Sequence, residues 1–549
     1  MTNKTINKDA TFFDALKDEE VRSDLGYTEN GALAYNTTGS ALLDFDFNTS
    51  SVRAKTPAEI AEDFTKAFYE NKELAMRYMF FMGDIREGKG ERHAFNSLLT
   101  FLDKEKPELL ADVLDLIPEY GRWDEVVNLI DGNCGEAALK LIKDQLEEDL
   151  DSEHPSLLGK WLPSINASSD ETRRKAHKIL KYLGYDYKTY RKTLSGLRDK
   201  LNVVEKALAE KDTKKLDEMQ ESLTSKQNFK YSKALMRNIP EERKKYFERV
   251  LKGEANFNVN VLEPHEIYYR YRTESSSSYR HVAEDLSYEA MWKMLPNKVQ
   301  DGKGVLVVRD GSGSMTCGIP GTNKGEILDV ASALTVYFAE HAQGGFHDKF
   351  ITFSSRPQVI DLSGCDTLAD KMNYLYRFND CSNTDVKSVF DLVLKTAKNN
   401  NMSQEELPNS ILIVSDMQFD SALEGGLNET LFDTIRKEYE EAGYKLPRLI
   451  FWNVDSRGTT IPVIKNELGL VLLSGYSKNI MDMICADEFE KEVVKEDGTV
   501  EKVQLSPLEI LVNKVMSERY DAVSDAIAET LDKEQKMKVK PQTQSNDER

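Results

Sequence analysis

The sequence has little cysteine, and its cysteines follow no pattern that would stabilise a small domain. Its 549 residues include five cysteines, which are Cys134, Cys317, Cys365, Cys381 and Cys485. They are odd in number and widely spaced, and no two form a CxxC pair, which disfavours both a disulfide framework and a structural zinc site. Free thiols fit a reducing compartment, so we expect a cytoplasmic protein.

Long apolar runs are also missing from the sequence. No segment approaches the roughly 18 consecutive apolar residues that a membrane-spanning helix needs. The first twenty residues lack the basic start, the apolar stretch and the small-residue cleavage site of a secretory signal. We therefore expect no membrane association. At about 150 residues per domain, the length predicts two to four domains.

The charge balance is strongly acidic. Lysine and arginine number 73 against 94 aspartate and glutamate residues, a net charge of -21. Such a chain repels polyphosphate as a whole, so nucleic-acid binding requires a local basic surface.

The first part of the chain has the periodicity of amphipathic helices. Thr56, Pro57 and Glu59 form a capping-box pattern that predicts a helix start. Similar apolar spacing recurs through 73–117, 171–210 and 228–252, separated by short Gly or Pro breaks. We predict an α-helical, repeat-like region over residues 1–300.

A different pattern begins near residue 304. Short β-branched runs occur at 304–308, 349–353, 411–414, 448–452 and 470–473. Helical stretches at 325–342 and 385–398 lie between the first of them, which predicts βαβ units and a mainly parallel sheet. The predicted fold class is α + α/β, with a Rossmann-like domain at 301–485 and a helical extension with a polar tail at 486–549.

Oxygen-bearing side chains follow two of the predicted strands, and one more opens a predicted helix. They are Asp310, Ser312, Ser314, Thr384 and Asp416. Loops at the carboxyl edge of a parallel sheet converge, and hydroxyl and carboxylate oxygens suit Mg²⁺ or another hard divalent cation. A flexible Gly-Ser turn, a helix N-cap and a turn cap are the alternative interpretations of these segments.

The DxSxS pattern, the threonine and the later aspartate together resemble the metal-ion-dependent adhesion site of the von Willebrand factor A domain. By that resemblance Ser312, Ser314 and Thr384 supply hydroxyls, and Asp310 and Asp416 act directly or through water. One coordination position then stays open for an acidic side chain of a partner or another anionic ligand.

Several segments of the helical region are also distinctive. They are Thr37 to Ser40, Asp84 to Arg92, Tyr120 to Asp124 and Lys160 to Ser164. With the metal motif they resemble a family of unknown function from plants, bacteria and tailed phages, which joins a helical region to an A-type domain. The layout is more remotely similar to the Ro ribonucleoprotein (TROVE) proteins, which implies binding of structured RNA.

Residues 171–200 form a basic segment that gives RNA binding local support. Ten Lys or Arg stand there against three Asp or Glu, with tyrosines interleaved. Cations bind phosphates and aromatic rings stack on unpaired bases. We predict RNA contact through Arg173, Arg174, Lys175, Lys178, Lys181, Lys188, Arg191 and Lys192. The alternatives are a solvated basic face or a surface that pairs with acidic segments of the protein.

We therefore predict a non-catalytic protein that binds RNA or a ribonucleoprotein through its helical region and an acidic ligand through Mg²⁺. A protein-only scaffold is the main alternative, and a metal-dependent phosphoesterase is a weaker one. Gly83 to Lys89 fits GxxxxGK, but Gly90 stands where the magnesium-binding Ser or Thr belongs, so we predict no P-loop there. No GxSxG or HExxH motif indicates a hydrolase.

Overall fold

The computed structural model describes residues 25–27, 33–201, 204–259, 262–278, 281–297, 299, 304–319, 321, 325–353, 356–379, 385–418, 431–455, 470–476, 490–494 and 500–539. Their helices and strands are labelled below in chain order.

Helices dominate the chain before residue 300. The helices are α1 (Ala41–Phe47), α2 (Pro57–Glu70), α3 (Lys72–Gly83), α4 (Arg92–Glu105), α5 (Pro107–Asp112), α6 (Ile117–Tyr120), α7 (Trp123–Leu129), α8 (Gly135–Asp151), α9 (Leu158–Trp161), α10 (Asp170–Leu183), α11 (Tyr187–Lys200), α12 (Val204–Glu210), α13 (Thr213–Met219), α14 (Ser225–Asn238), α15 (Pro240–Leu251), α16 (Pro264–Glu274) and α17 (Leu286–Lys293). Two small antiparallel hairpins pair β1 (Leu25–Tyr27) with β2 (Leu33–Tyr35) and β3 (Ser276–Ser278) with β4 (His281–Val282).

The capping box predicted at the start of α2 is confirmed. The Thr56 side chain accepts a hydrogen bond from the Glu59 backbone amide at 3.3 Å, and the Glu59 carboxylate accepts one from the Thr56 amide at 2.7 Å. Two amides that the helix leaves without a partner are thereby satisfied, which fixes where α2 begins.

A six-stranded sheet forms the centre of the second half. Its strands are β5 (Val305–Asp310), β6 (Lys349–Phe353), β7 (Val359–Asp361), β8 (Ser410–Ser415), β9 (Arg448–Asn453) and β10 (Leu470–Ser474). The order across the sheet is β10-β9-β8-β5-β6-β7. All neighbours are parallel except β7, which pairs antiparallel with β6. The predicted strands are confirmed, and the sheet is mixed at one edge.

Helices cover both faces of this sheet. The helices that follow its strands are α18 (Ile327–His341), α19 (Leu368–Leu375), α20 (Val386–Asn399) and α21 (Leu431–Glu441). Side chains on one face, such as Ile413, share a core with α20, α21 and the amino-terminal helices. Side chains on the other face, such as Leu412, pack with α15 to α19. Helices that precede residue 300 therefore contribute to both layers around the sheet.

The last described segments return to the helical region. They are a hairpin of β11 (Glu490–Val494) and β12 (Val500–Gln504), then α22 (Pro507–Val515) and α23 (Asp521–Val539). Arg77 of α3 is buried and donates to the Val515 and Ser517 carbonyl oxygens and to Asp521. The extension predicted after residue 486 thus packs on the amino-terminal helices. No helix among the described residues has an apolar stretch suited to crossing a membrane.

Candidate functional site

The order of the sheet reverses at the boundary between β5 and β8. The strands that follow β5 lie on one side of it, and β8 and its successors lie on the other. Where the order reverses in this way, the loops leave in opposite directions and open a ligand-binding crevice. Asp310 ends β5, and Asp416 comes directly after the last residue of β8.

The Asp310 carboxylate is buried and oriented by two donors. It has no solvent exposure, and it accepts a hydrogen bond from the Ser312 amide at 2.9 Å and one from the Ser415 hydroxyl at 2.6 Å. The Ser415 hydroxyl in turn accepts one from the Met417 amide at 3.0 Å. Ser415 is a member of this site that the sequence did not predict, because its position inside a strand marks it only as a core residue.

A second carboxylate lies beside the first. Asp416 is 2% exposed, and the Gln418 amide donates to it at 3.3 Å. Burial, together with the negative charge of Asp416, raises the pKa of Asp310 to about 6. Two carboxylates that share a buried site repel each other, and a bound cation would relieve that repulsion.

The two predicted serines also belong to the site. Ser312 is buried, Ser314 is half-buried, and their hydroxyl oxygens are 3.0 Å apart. Ser314 lies in a short 3-10 turn, Gly313–Thr316, directly after β5. The structure therefore gathers Asp310, Ser312, Ser314 and Asp416 at one edge of the sheet.

Thr384 lies outside the described residues. The chain leading toward it does approach the site, because Arg309 donates to the Asn379 side chain at 2.5 Å. A Cβ added at Gly311 would be 3.0 Å from the Phe378 carbonyl oxygen, so this loop packs closely on 378–379.

The residues present fit a hard cation bound by hydroxyls and few carboxylates. Two buried carboxylates and two hydroxyls supply only oxygen donors, the type that Mg²⁺ prefers. No group of three or more His, Cys, Asp or Glu suited to holding a metal occurs in the described part of the chain. The described residues therefore give no support to a metal site built only from carboxylates or imidazoles.

Sequence reasoning missed a third carboxylate at this edge of the sheet. Asp455 lies shortly after β9 and is buried, but it is not part of a DxSxS pattern. Its amide donates to the Asn453 side chain at 3.0 Å. The signal available in the sequence was a lone aspartate after an apolar run, which is also common in ordinary turns.

The predicted RNA-binding residues divide into two groups. Those on α10 contact the protein itself, since Arg174 and Lys178 pair with Asp131 at 2.7 and 3.1 Å. Lys175 pairs with Glu171 at 3.0 Å, and Arg173 pairs with Asp170. The two pairs with Asp131 hold α10 against the turn between α7 and α8, whereas the other two pairs lie within α10. Lys181 is exposed near the end of the helix.

The group on α11 faces solvent. Lys188, Arg191 and Lys192 are exposed and line a shallow groove together with Tyr187 and His177. Tyr187 is 55% exposed, and its ring packs edge-on against His177 with centroids 5.3 Å apart. Cations and an accessible aromatic ring therefore occur together on α11. We call this the α11 surface.

Comparison with known proteins places the chain in a family of unknown function. Residues 28–125 match the domain of unknown function DUF2828, and residues 305–537 match the domain of unknown function DUF7788. An uncharacterized protein of Acanthamoeba polyphaga mimivirus is 30% identical over 512 residues, covering 85% of this chain and 86% of that protein. The chain belongs to the same family as this viral protein. The predicted membership of a family of unknown function is confirmed at this level.

Proposed function

We propose that this protein is a non-catalytic binding protein whose carboxyl-terminal half is a von Willebrand factor A-like domain with a Mg²⁺ site. The observation that carries the proposal is the pair of buried carboxylates, Asp310 and Asp416, at the point where the strand order reverses. The Rossmann-like sheet and the neighbouring Ser312 and Ser314 hydroxyls support it.

Asp310, Ser312, Ser314 and Asp416 would hold the cation, with Thr384 as the further donor that the sequence resemblance implies. When bound, Mg²⁺ supplies a positive charge with a coordination position for an anionic ligand. The protein groups orient it, because the Ser312 amide and the Ser415 hydroxyl fix the Asp310 carboxylate. The ligand in this proposal is an acidic side chain of a partner protein.

Mg²⁺ titration by calorimetry tests the metal site. We expect the wild-type protein to bind Mg²⁺ and Asp310→Asn to lose that binding. Asp366→Asn is the matched control, because Asp366 is an exposed aspartate of the same domain. Equal Mg²⁺ binding by the wild type and Asp310→Asn would contradict the proposal. Hydrolysis of p-nitrophenyl phosphate that Asp310→Asn abolishes would favour the phosphoesterase alternative.

We further propose that the helical region binds RNA through the α11 surface. Exposed Lys188, Arg191 and Lys192 lie next to an exposed tyrosine. The three cations suit phosphates, and the tyrosine ring suits an unpaired base. The α10 group is a poorer candidate, because Arg174 pairs with Asp131 and Lys175 pairs with Glu171 of the same helix. Absent binding to structured RNA, or binding that does not weaken with salt, would favour the protein-only scaffold instead.

A further inference from the structure

A large cavity lies where three distinctive segments of the helical region meet. Arg86 and Gly90 of the loop before α4, Arg122 before α7 and Lys160 of α9 line it. The rest of the lining includes Tyr476, just after β10, and residues of two further segments, which are Ser222, Leu223, Thr224, Lys226, Gln227, Glu263, His265 and Glu266. The cavity has a volume of about 730 Å³, within the range of pockets that hold small organic ligands. Neither the metal site nor the α11 surface includes these residues.

Positive charge dominates the lining. Seven Lys or Arg line the cavity, namely Arg53, Arg86, Lys89, Arg92, Arg122, Lys160 and Lys226, against Glu263 and Glu266. The acidic partners of several of these cations do not line it. Glu91 and Glu125, which pair with Arg53 and Arg92 at 2.8 and 3.0 Å, have side chains almost wholly buried. They fix the positions of the guanidinium groups, which remain at the cavity surface.

Arg122 and Lys160 are held at the cavity by an aromatic ring. The Arg122 guanidinium lies 4.0 Å from the centre of the Trp161 ring, and the Lys160 ammonium lies 5.7 Å from it. Arg122 also pairs with Asp124 at 2.7 Å. Among the described residues, Lys160 has no carboxylate within ion-pair distance, so its charge is available to a ligand.

A buried polar atom beside the cavity lacks a partner. His265 is 8% exposed and lines the cavity. In the described part of the chain, no group hydrogen-bonds its buried Nδ1 atom. Buried polar atoms are nearly always satisfied, so this atom marks a place for an ordered water behind the cavity wall.

The loop before α4 does not act as a P-loop. The Lys89 and Glu91 amides donate to the carbonyl oxygens of Phe81 and Met82 at 3.0 and 2.8 Å, and the Gly90 amide donates to that of Asp84 at 3.1 Å. The Lys89 ammonium is buried against Asp46 at 2.5 Å. An anion in the cavity would therefore be bound by side chains and not by a cradle of backbone amides.

We propose that this cavity binds a phosphate monoester of nucleotide size, with Arg122 and Lys160 contacting the phosphate. Guanidinium and ammonium groups bind phosphate through charge-assisted hydrogen bonds. The ligand is either a free nucleotide or the phosphorylated end of a nucleic acid, because both present the same dianion.

Equilibrium binding to AMP and adenosine tests the proposal, alongside RNA hexamers with a 5′-phosphate or a 5′-hydroxyl. The Arg122→Gln/Lys160→Gln pair should weaken phosphate-dependent binding by about tenfold or more, since charge-assisted contacts are lost. The control pair Lys395→Gln/Lys398→Gln removes the same charge from exposed positions of α20 and should bind like the wild type. If circular dichroism shows that the double variant is unfolded, Lys160→Gln alone replaces it in the test, because this single change keeps the Arg122–Asp124 pair.

Preference for AMP over adenosine, lost in the cavity variant and kept in the control, supports a free nucleotide. Preference for the 5′-phosphorylated hexamer without AMP binding, with the same variant dependence, supports a nucleic-acid end. Equal binding of AMP and adenosine, binding of no probe, or equal losses in the cavity and control variants would overturn the proposal.

Discussion

The guanidinium of Arg519 donates to both carboxylate oxygens of Asp84, at 2.6 and 3.2 Å. Arg519 lies between α22 and α23, whereas Asp84 directly follows α3, 435 positions earlier. The Asp84 side chain is fully buried, and the Tyr520 hydroxyl also donates to it at 3.2 Å. The carboxyl-terminal helices therefore neutralise a buried charge in the amino-terminal region.

Removing only one member of this pair should destabilise the protein strongly. We expect Arg519→Met to lower the free energy of unfolding by about 3 kcal/mol, because a buried carboxylate loses its countercharge. Urea denaturation measures the change. The double variant Asp84→Asn/Arg519→Met should recover most of the loss, and equal stability of the single and double variants would contradict this explanation.

The proposed metal site predicts an opposite effect on stability in the absence of metal. Asp310→Asn removes one of two repelling buried carboxylates. In EDTA we therefore expect this variant to unfold at a higher temperature than the wild type, with a free energy of unfolding higher by about 1 to 3 kcal/mol. With Mg²⁺ at about a hundred times its dissociation constant, the wild type alone should gain about 2.7 kcal/mol. Differential scanning calorimetry with and without Mg²⁺ makes the comparison. A wild type whose unfolding temperature ignores Mg²⁺ would argue against the site.

The α11 surface predicts a salt-dependent loss of RNA affinity. We expect Lys188→Gln/Arg191→Gln/Lys192→Gln to weaken binding to a single-stranded RNA and to reduce the slope of log affinity against log salt by about 2. Fluorescence anisotropy at several salt concentrations measures both. The control replaces the exposed lysines Lys214, Lys395 and Lys398 by glutamine. A slope unchanged from that of the wild type would exclude this surface.

His265 predicts a loss of stability on acidification. Burial lowers the pKa of His265 from 6.5 to about 4, with Arg53 and Lys226 acting in the same direction and Glu266 against it. Below pH 6.5 the unfolded chain binds a proton that the folded protein rejects, so stability falls as the pH drops from about 6.5 toward 4. Between pH 6.5 and 4.5 we expect the wild type to lose about 2 kcal/mol more than His265→Gln. Urea denaturation across this range measures the difference, and parallel pH profiles would refute it.

Two glycines provide a matched pair for testing the packing of the helical region. A Cβ at Gly88 would be 1.9 Å from the Phe81 carbonyl oxygen, whereas one at Gly196 in α11 meets nothing within 4 Å. Gly88→Ala should cost about 2 kcal/mol or more through overpacking. Gly196→Ala should stabilise the protein by about 0.5 to 1 kcal/mol, because alanine loses less backbone entropy in a helix. Thermal unfolding compares the stabilities of the two variants. Similar effects of both changes would contradict the close packing described for Gly88.

The sequence predicted the central strands well because their apolar runs are long enough to be distinctive. Ser410–Ser415 is buried along its whole length, which gives β8 a continuous apolar pattern. Strand β7 was not predicted, since Val359–Asp361 has three residues and only Ile360 is buried. Its antiparallel pairing depends on the partner strand and is not visible in so short a segment.

The candidate sites show a sharper limit of sequence reasoning. Asp310 and Asp416 could be placed together because strand ends of one parallel sheet share an edge. The composition of 171–200 left pairing with acidic segments open, but it could not identify Asp131 as the partner, because that contact depends on helix packing. The cavity was missed for the same reason, since Arg122 and His265 lie far apart in the sequence and line one cavity only after folding.

The contact of α23 with α3 also has a consequence for synthesis of the protein. Since Asp84 and Arg77 find their countercharges at Arg519 and Asp521, the first helices cannot complete their packing until that distant stretch has left the ribosome. Nascent chains should therefore expose unfinished apolar surface for most of translation, in contrast to proteins whose amino-terminal domains fold first.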